Sequence, residues 1–145
     1  MRLIFNDDAR VAGWVSERIG HPISPPYVAI GMTDDDRLYC GGAVFNCWNG
    51  ANIELTIAME RPVTRGILRA LYHYVFIQSK ATRLSAHTKR SNKKVARLLP
   101  KLGFQFEGVA KRYYGPNKPD DALCYALFPD TTSKFYADSP RPDAA

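Results

Sequence analysis

Residues 63–108, VTRGILRALYHYVFIQSKATRLSAHTKRSNKKVARLLPKLGFQFEG, decide how the rest of the chain is read. From Thr64 onward, Ile67, Leu71, Tyr74 and Val75 recur at helical spacing and give one apolar face. The Thr64 hydroxyl is placed to cap that helix, with Gly66 inside its first turn. Arg83 to Thr88 is short and flanked by polar residues, which predicts a strand packed between helices. Ser91 is then the expected cap of a second helix, in which Val95, Leu98, Leu99 and Leu102 share a face. Pro100 loosens its last turn, and Gly103 is the residue type expected just past a helix end.

Two helix starts in one unit, each beside cations, suggest anion sites, because unpaired N–H groups and the helix dipole both favour phosphate there. The cations are Arg65 and Arg69 at the first start, and Lys89, Arg90, Lys93 and Lys94 at the second. Two ordinary amphipathic helices with solvated basic faces would give the same pattern, and spacing alone leaves both readings open.

The segment resembles the acetyl-CoA-binding half of the GNAT family of N-acetyltransferases over residues 63–128, with a weaker match over 27–60. The likeness rests on the Arg65-Gly66-Ile67 turn before a helix and on Ser91-Asn92 opening the next. Leu102-Gly103-Phe104 then leads to Glu107-Gly108, and Asp120-Asp121-Ala122-Leu123 precedes the last strand. It is also similar to short GNAT-like proteins of bacteriophages.

The resemblance implies an α/β fold. Its central sheet is mixed and mostly antiparallel, with helices on both faces and a splayed pair of middle strands that admits a pantetheine arm. It also implies acetyl-CoA as cofactor. The family's pyrophosphate loop, Gln/Arg-x-x-Gly-x-Gly/Ala, falls on Val63, Thr64, Arg65, Gly66, Ile67 and Leu68, with Arg69 following. Leu68 replaces a small residue, and a leucine there is expected to crowd a pyrophosphate. The same likeness puts the thioester carbonyl against backbone of Leu55 to Met59, including Leu55 and Ile57. It sets Asn92 on the pantetheine arm and Lys89, Arg90 and Lys93 near phosphates.

A chain of 145 residues predicts one domain with a real core, here 1–128 followed by an extended or docked tail at 129–145. No run of about 18 apolar residues occurs, so no membrane span is expected. The first residues, MRLIFNDDAR, lack the apolar stretch of a signal peptide. Cys40, Cys47 and Cys124 are odd in number, without metal spacing, and read as buried free thiols of a cytosolic protein. A formal net charge of +6 suits nucleic acid, acidic protein surfaces or a polyphosphate cofactor.

Before the deciding segment, Arg2 to Phe5 predicts an edge strand. A helix to about Ile19 follows, capped by Asp7 or Asp8. His21 to Pro26 is too proline-rich for regular structure, and His21 reads as incidental. Strands follow at Tyr27–Thr33, Leu38–Trp48 and Ala51–Met59, joined by turns at Asp34-Asp35-Asp36 and Asn49-Gly50. Gly41-Gly42 signals a bulge or close approach. One helix before the second strand, where the family commonly has two, suggests an open acceptor side suited to a large substrate. The last strands are read at Phe104–Arg112 and Leu123–Phe128.

By the resemblance, the reaction is transfer of acetyl from acetyl-CoA to a primary amine. The acceptor is expected to be a protein or peptide, through lysine or an N-terminus, attacking directly because no cysteine stands beside a base in the motif region. Acyl transfer to an amine needs a base, an oxyanion donor and a proton for the leaving thiolate. Glu54 lies where family members carry a catalytic carboxylate, and reads equally as a solvated strand residue. His87 ends a strand five residues before Asn92, and is either a base or a surface histidine. The family's tyrosine acid falls on Leu99, which leaves Tyr113 and Tyr114 as acid candidates or as strand-end packing. A catalytically lost, GNAT-shaped protein that binds nucleic acid or docks in a larger assembly is the alternative.

Overall fold

The computed structural model describes residues 1–129, so all but the first residue of the tail expected at 129–145 lies outside the described residues. Seven strands form one sheet: β1 (Arg2–Ile4), β2 (Tyr27–Thr33), β3 (Tyr39–Asn46), β4 (Asn52–Met59), β5 (Arg83–Lys89), β6 (Gln105–Ala110) and β7 (Ala122–Leu127). Their spatial order is β1-β2-β3-β4-β5-β7-β6, with every neighbouring pair antiparallel except β4–β5. That parallel pair is joined by a helical crossover, as parallel neighbours require. β7 pairs with both β5 and β6 and so enters between two strands that precede it in the chain.

Three helices cover the sheet: α1 (Asp8–Ile19), α2 (Arg65–Tyr72) and α3 (Lys93–Lys101). Alternation along each strand divides the interior in two. Ile53 and Leu55 of β4 and Leu84 and Ala86 of β5 join Ile67, Leu71 and Leu99 in a large core under α2 and α3. Ala29 and Val44 join Val11, Ala12 and Val15 in a smaller core under α1. Glu54 stands between Ile53 and Leu55, and His87 follows Ala86, so both belong to the strand face turned towards α1.

Close approach explains Gly42: a Cβ there would come within 2.7 Å of Val15 and 2.9 Å of Val11. The pairing of β2 with β3 also shifts register at Met32/Thr33, opposite Gly41.

Several local expectations are corrected. Neither Asp7 nor Asp8 caps α1 through its side chain. Asp7 instead accepts from the Tyr39 hydroxyl, and Asp8 Oδ1 accepts from Ala29 N–H at 2.9 Å, so both carboxylates fasten the helix to the sheet. Thr64 caps α2 as expected, accepting from Ile67 N–H at 3.2 Å. The helix then changes to a π-helical turn over His73–Gln78, where Ser79 N–H reaches Tyr74 O. Asn92, one residue later than expected, caps α3 by accepting from Val95 N–H at 3.4 Å. The β2–β3 turn is tied by Asp34 Oδ1, which accepts from the N–H groups of Asp36 and Leu38. Asn49 plays the same part before β4. The cysteines are unpaired, but only Cys40 is buried: Cys47 is exposed and Cys124 half-buried. Among the described residues no helix is long and apolar enough to cross a membrane, and no group of three potential metal ligands occurs.

Candidate functional site

Asn52 to Leu55 of β4 pair with Arg83 to Ala86 of β5, and there the ladder stops. Both strands run on, β4 to Met59 and β5 to Lys89. A cleft of about 600 Å³ opens where they part. Leu55, Ile57, Ala86, Asn92 and Leu99 line it from the side of the large core, and Glu54, Thr56 and His87 from the side of α1. Only a gap through the sheet collects side chains of both faces.

The α1 side of the cleft holds the titratable groups. His87 Nδ1 lies 3.7 Å from Glu54 Oε1, with both side chains about three-quarters covered. The His87 ring stacks on Tyr113 at 5.6 Å between centroids and 4° between planes. Tyr113 meets Tyr114 edge to face at 4.8 Å. Tyr114 in turn contacts His21 at 5.0 Å. Burial, then the neighbouring Tyr113, pushes Tyr114 up to about 12. Tyr113 is raised as well, by burial first and then by the Glu54 charge. Both phenols therefore stay protonated and able to donate at neutral pH.

The 111–121 loop is fixed so that its tyrosines face the cleft. Arg112 N–H donates to Asp121 Oδ1 at 2.9 Å, Tyr114 N–H to Asp120 O at 2.9 Å, and Arg90 N–H to Asp121 O at 2.8 Å. Lys89 Nζ and Arg90 Nε lie 3.5 and 3.6 Å from the carboxylates of Asp120 and Asp121. Lys89 and Arg90, expected at phosphates, are thus engaged in holding this loop, which removes two cations from the patch that suggested nucleic acid. Opposite, Gly20 to Pro26 stands where a second helix was missing. Asn46 Nδ2 donates to Ser24 O at 3.0 Å and holds this loop against β3. The loop carries His21, Pro22 and Ile23 into the wall of the cleft.

The sequence reading missed His21 and Cys47. His21, read as incidental, touches Tyr114 and lines the cleft, and its Nδ1–H donates to Pro22 O at 3.2 Å. Cys47, outside the 63–128 segment, lines the cleft together with Glu54. The neighbouring Glu54 carboxylate, then burial, raises the thiol's pKa and keeps it protonated. The Asn49-Gly50 hairpin after Cys47 is the sequence signal that β3 and β4 return side by side, which brings Asn46 opposite Glu54.

The predicted cofactor contacts divide. Leu55, Ile57 and Asn92 line the cleft. Thr64, Arg65 and Gly66 are exposed at the start of α2, and Lys93 is exposed at the start of α3. Ile67 and Leu68 turn inward, 2 and 5 % exposed, so they have only backbone to offer. For Leu68 this removes the expected crowding: helical periodicity carries its side chain into the core. Arg69 lines a separate groove of about 490 Å³ with Phe5, Val28 and Tyr74. A Cβ on Gly66 would meet nothing nearer than Thr64 Oγ1 at 3.8 Å, so no contact within the protein calls for glycine there.

The chain shares its fold with solved N-acetyltransferases. A mutant of spermidine N-acetyltransferase from Vibrio cholerae superposes with a TM-score of 0.69 at 14 % identity, covering 97 % of this chain and all of that one. A dodecameric structure of spermidine N-acetyltransferase from the same organism gives 0.70 at 13 % identity, over 96 and 98 %. Ribosomal-protein-S5-alanine acetyltransferase from Vibrio fischeri gives 0.68 at 15 % identity, over 88 and 92 %. At these identities the likeness establishes the GNAT fold. Neither a protein-family model nor a curated protein sequence matches the chain.

Proposed function

We infer that this protein is a cytosolic N-acyltransferase that moves acetyl from acetyl-CoA to a primary amine, the acceptor being a protein or peptide amine. One observation carries the reading: the β4–β5 ladder stops at Leu55↔Ala86 while both strands continue, and the gap opens on the Glu54–His87 pair. The shared fold with solved acetyltransferases, and the resemblance of residues 63–128 to the cofactor-binding half of the GNAT family, support it.

The residues present fit acetyl-CoA. The exposed first turn of α2 offers N–H groups that helix geometry leaves unpaired, beside Arg65 and a glycine whose open side serves no internal contact. Asn92 lines the gap together with Leu55, Thr56 and Ile57. When bound, acetyl-CoA supplies an activated acyl group and a thiolate leaving group.

The chain's own groups then have distinct tasks. An amine reaches the cleft as ammonium and must lose a proton before it can attack. His87, with Nδ1 towards Glu54, has its other ring nitrogen available to take that proton. The Glu54 carboxylate stabilises the imidazolium that results. Tyr114, protonated at neutral pH, is the donor for the departing thiolate, the role left open by Leu99. Attack is direct, since the Cys47 thiol is held protonated and does not compete as a nucleophile.

Calorimetric titration with acetyl-CoA tests the cofactor half of this reading, and thiol release with amines tests the transfer. Binding by the protein that is lost in Asn92→Ala combined with Gly66→Leu is the expected result. A folded protein that neither binds acetyl-CoA nor releases thiol with any amine would end the proposal.

A further inference from the structure

Four rings, His87, Tyr113, Tyr114 and His21, stand in unbroken contact along one wall of the cleft, with centroid separations of 5.6, 4.8 and 5.0 Å. They come from three separate segments: β5, the 111–121 loop and the loop after α1. Tyr113 sits in the middle of the chain of rings, lines the cleft and is still 56 % exposed. A large ring left open to water inside a cleft has contact surface to offer a ligand. Pro22 and Ile23 add apolar surface to the same wall.

The charges of the lining are few. Among the described residues that line the cleft, Glu54 is the only carboxylate. Its cations are already engaged, Arg18 by Glu60 at 3.3 Å and Lys89 by Asp120 at 3.5 Å. One carboxylate can neutralise one ammonium, so a polycation with several amines would leave charges unmatched against rings and aliphatic side chains. The wall suits an acceptor with a single ammonium and a flat apolar body.

The spacing sets where that body lies. The amine belongs at Glu54 and His87, whose contact is 3.7 Å, and the nearest exposed ring is Tyr113, stacked beside His87. Because His87 covers one face of Tyr113, a ligand that lies alongside both rings puts its own ring beside Tyr113 about one ring separation from the amine, roughly 5 Å in the range of aromatic contacts. We propose that the acceptor is an arylethylamine unit, a primary amine two carbons from an aromatic ring, with its ring against Tyr113 and its nitrogen at Glu54–His87. That unit occurs both in free arylethylamines and at the N-terminus of a peptide that begins with an aromatic residue. The assignment rests on the acyltransferase reading and adds to it the identity of the group beside the amine.

The test compares acceptors under one assay of thiol release from acetyl-CoA: 2-phenylethylamine, phenylalanyl-glycinamide, hexylamine and spermidine. The expected result is a kcat/KM for at least one aromatic acceptor roughly 5- to 10-fold above hexylamine, as a ring–ring contact supplies, with spermidine lowest. Preference for phenylethylamine alone identifies a free amine, and preference for the dipeptide amide identifies a peptide N-terminus. Tyr113→Ala should bring the aromatic-to-hexylamine ratio close to one, chiefly through KM, while Tyr113→Phe should keep it. Equal use of hexylamine and the aromatic acceptors, a preference for spermidine, or a ratio that Tyr113→Ala leaves intact would overturn the assignment. Titration of 2-phenylethylamine by calorimetry separates the two proposals. Binding that Tyr113→Ala weakens, without turnover of any amine, would overturn the acyltransferase reading and leave the assignment of this wall standing. Turnover confined to non-aromatic amines would do the reverse.

Discussion

At one end the β4–β5 pair is locked, and at the other it is open. Arg83, in the first paired position of β5, donates to Glu107 through both terminal nitrogens at 2.6 and 3.1 Å and to Asn52 Oδ1 at 3.0 Å. It thereby ties β4, β5 and β6 together. Ser85 Oγ adds a bond to Ile53 O at 3.4 Å. Four residues further along, His87 meets Glu54 at a looser 3.7 Å, and the strands have no further ladder between them. The same two strands thus supply rigidity where their polar groups are satisfied by each other, and a site where those groups are left for something else. Loops 20–26 and 111–121 meet at the open end, through His21 and Tyr114.

The contrast can be broken at the open end first. His87→Ala should lower kcat/KM for thiol release by about 10²- to 10³-fold, as loss of a general base does, with the urea midpoint little changed. A change below threefold would remove His87 from the base role. Glu54→Gln should lower the rate by a smaller factor, because His87 remains.

Cofactor affinity is the next largest effect. Gly66→Ala adds a methyl group that meets nothing nearer than Thr64 Oγ1 at 3.8 Å. Calorimetry should show acetyl-CoA affinity reduced about tenfold, while stability is retained or raised by up to about 0.5 kcal/mol. Unchanged affinity would move the phosphates away from the start of α2.

At the locked end, Arg83→Ala should cost about 1–2 kcal/mol in urea unfolding, held down because the pair is about one-third exposed. Its kcat at low temperature should fall less than twofold. A kcat loss as large as that of His87→Ala would mean that the two ends are not separable.

The smallest effect is in alkaline solution. Tyr39 and Tyr114 are both raised from 10.0 to about 12, Tyr39 by burial and then by its bond to Asp7, and Tyr114 by burial. Their protons are held more tightly in the folded chain than in the unfolded one. The corresponding stability is fully present below pH 10 and is lost as pH rises from 10 to 12. Urea unfolding should show that decline, and Tyr39→Phe should make it shallower. The tyrosinate absorbance of the folded protein should include a late fraction. Full ionisation near pH 10 while the chain is folded would contradict both shifts.

How much of this was legible depends on how local each cause is. The helix starting at Thr64, the strand from Arg83, and the turns at Asp34 and Asn49 were read correctly because each rests on residues within a few positions. The sequence places the α3 cap at Ser91 rather than Asn92, since two adjacent residues of similar chemistry differ only in backbone geometry. His21 looked incidental because its partner, Tyr114, is 93 positions away in sequence. The basic run Lys89-Arg90 looked like a phosphate site until Asp120 and Asp121 were found against it. Leu68 looked like an obstruction, since a motif position does not say which way a helical side chain turns.

Periodicity, capping and turn chemistry act over one or two helical turns or a single hairpin, so the sequence by itself determined the elements, their order and the class of sheet. Only the tertiary structure decided that β7 enters between β5 and β6, that β4 and β5 part after Leu55 and Ala86, and that Glu54, His87, Tyr113, Tyr114 and His21 share one cleft. Those outcomes depend on which distant strands pair and which loops meet, and no local preference encodes such pairings.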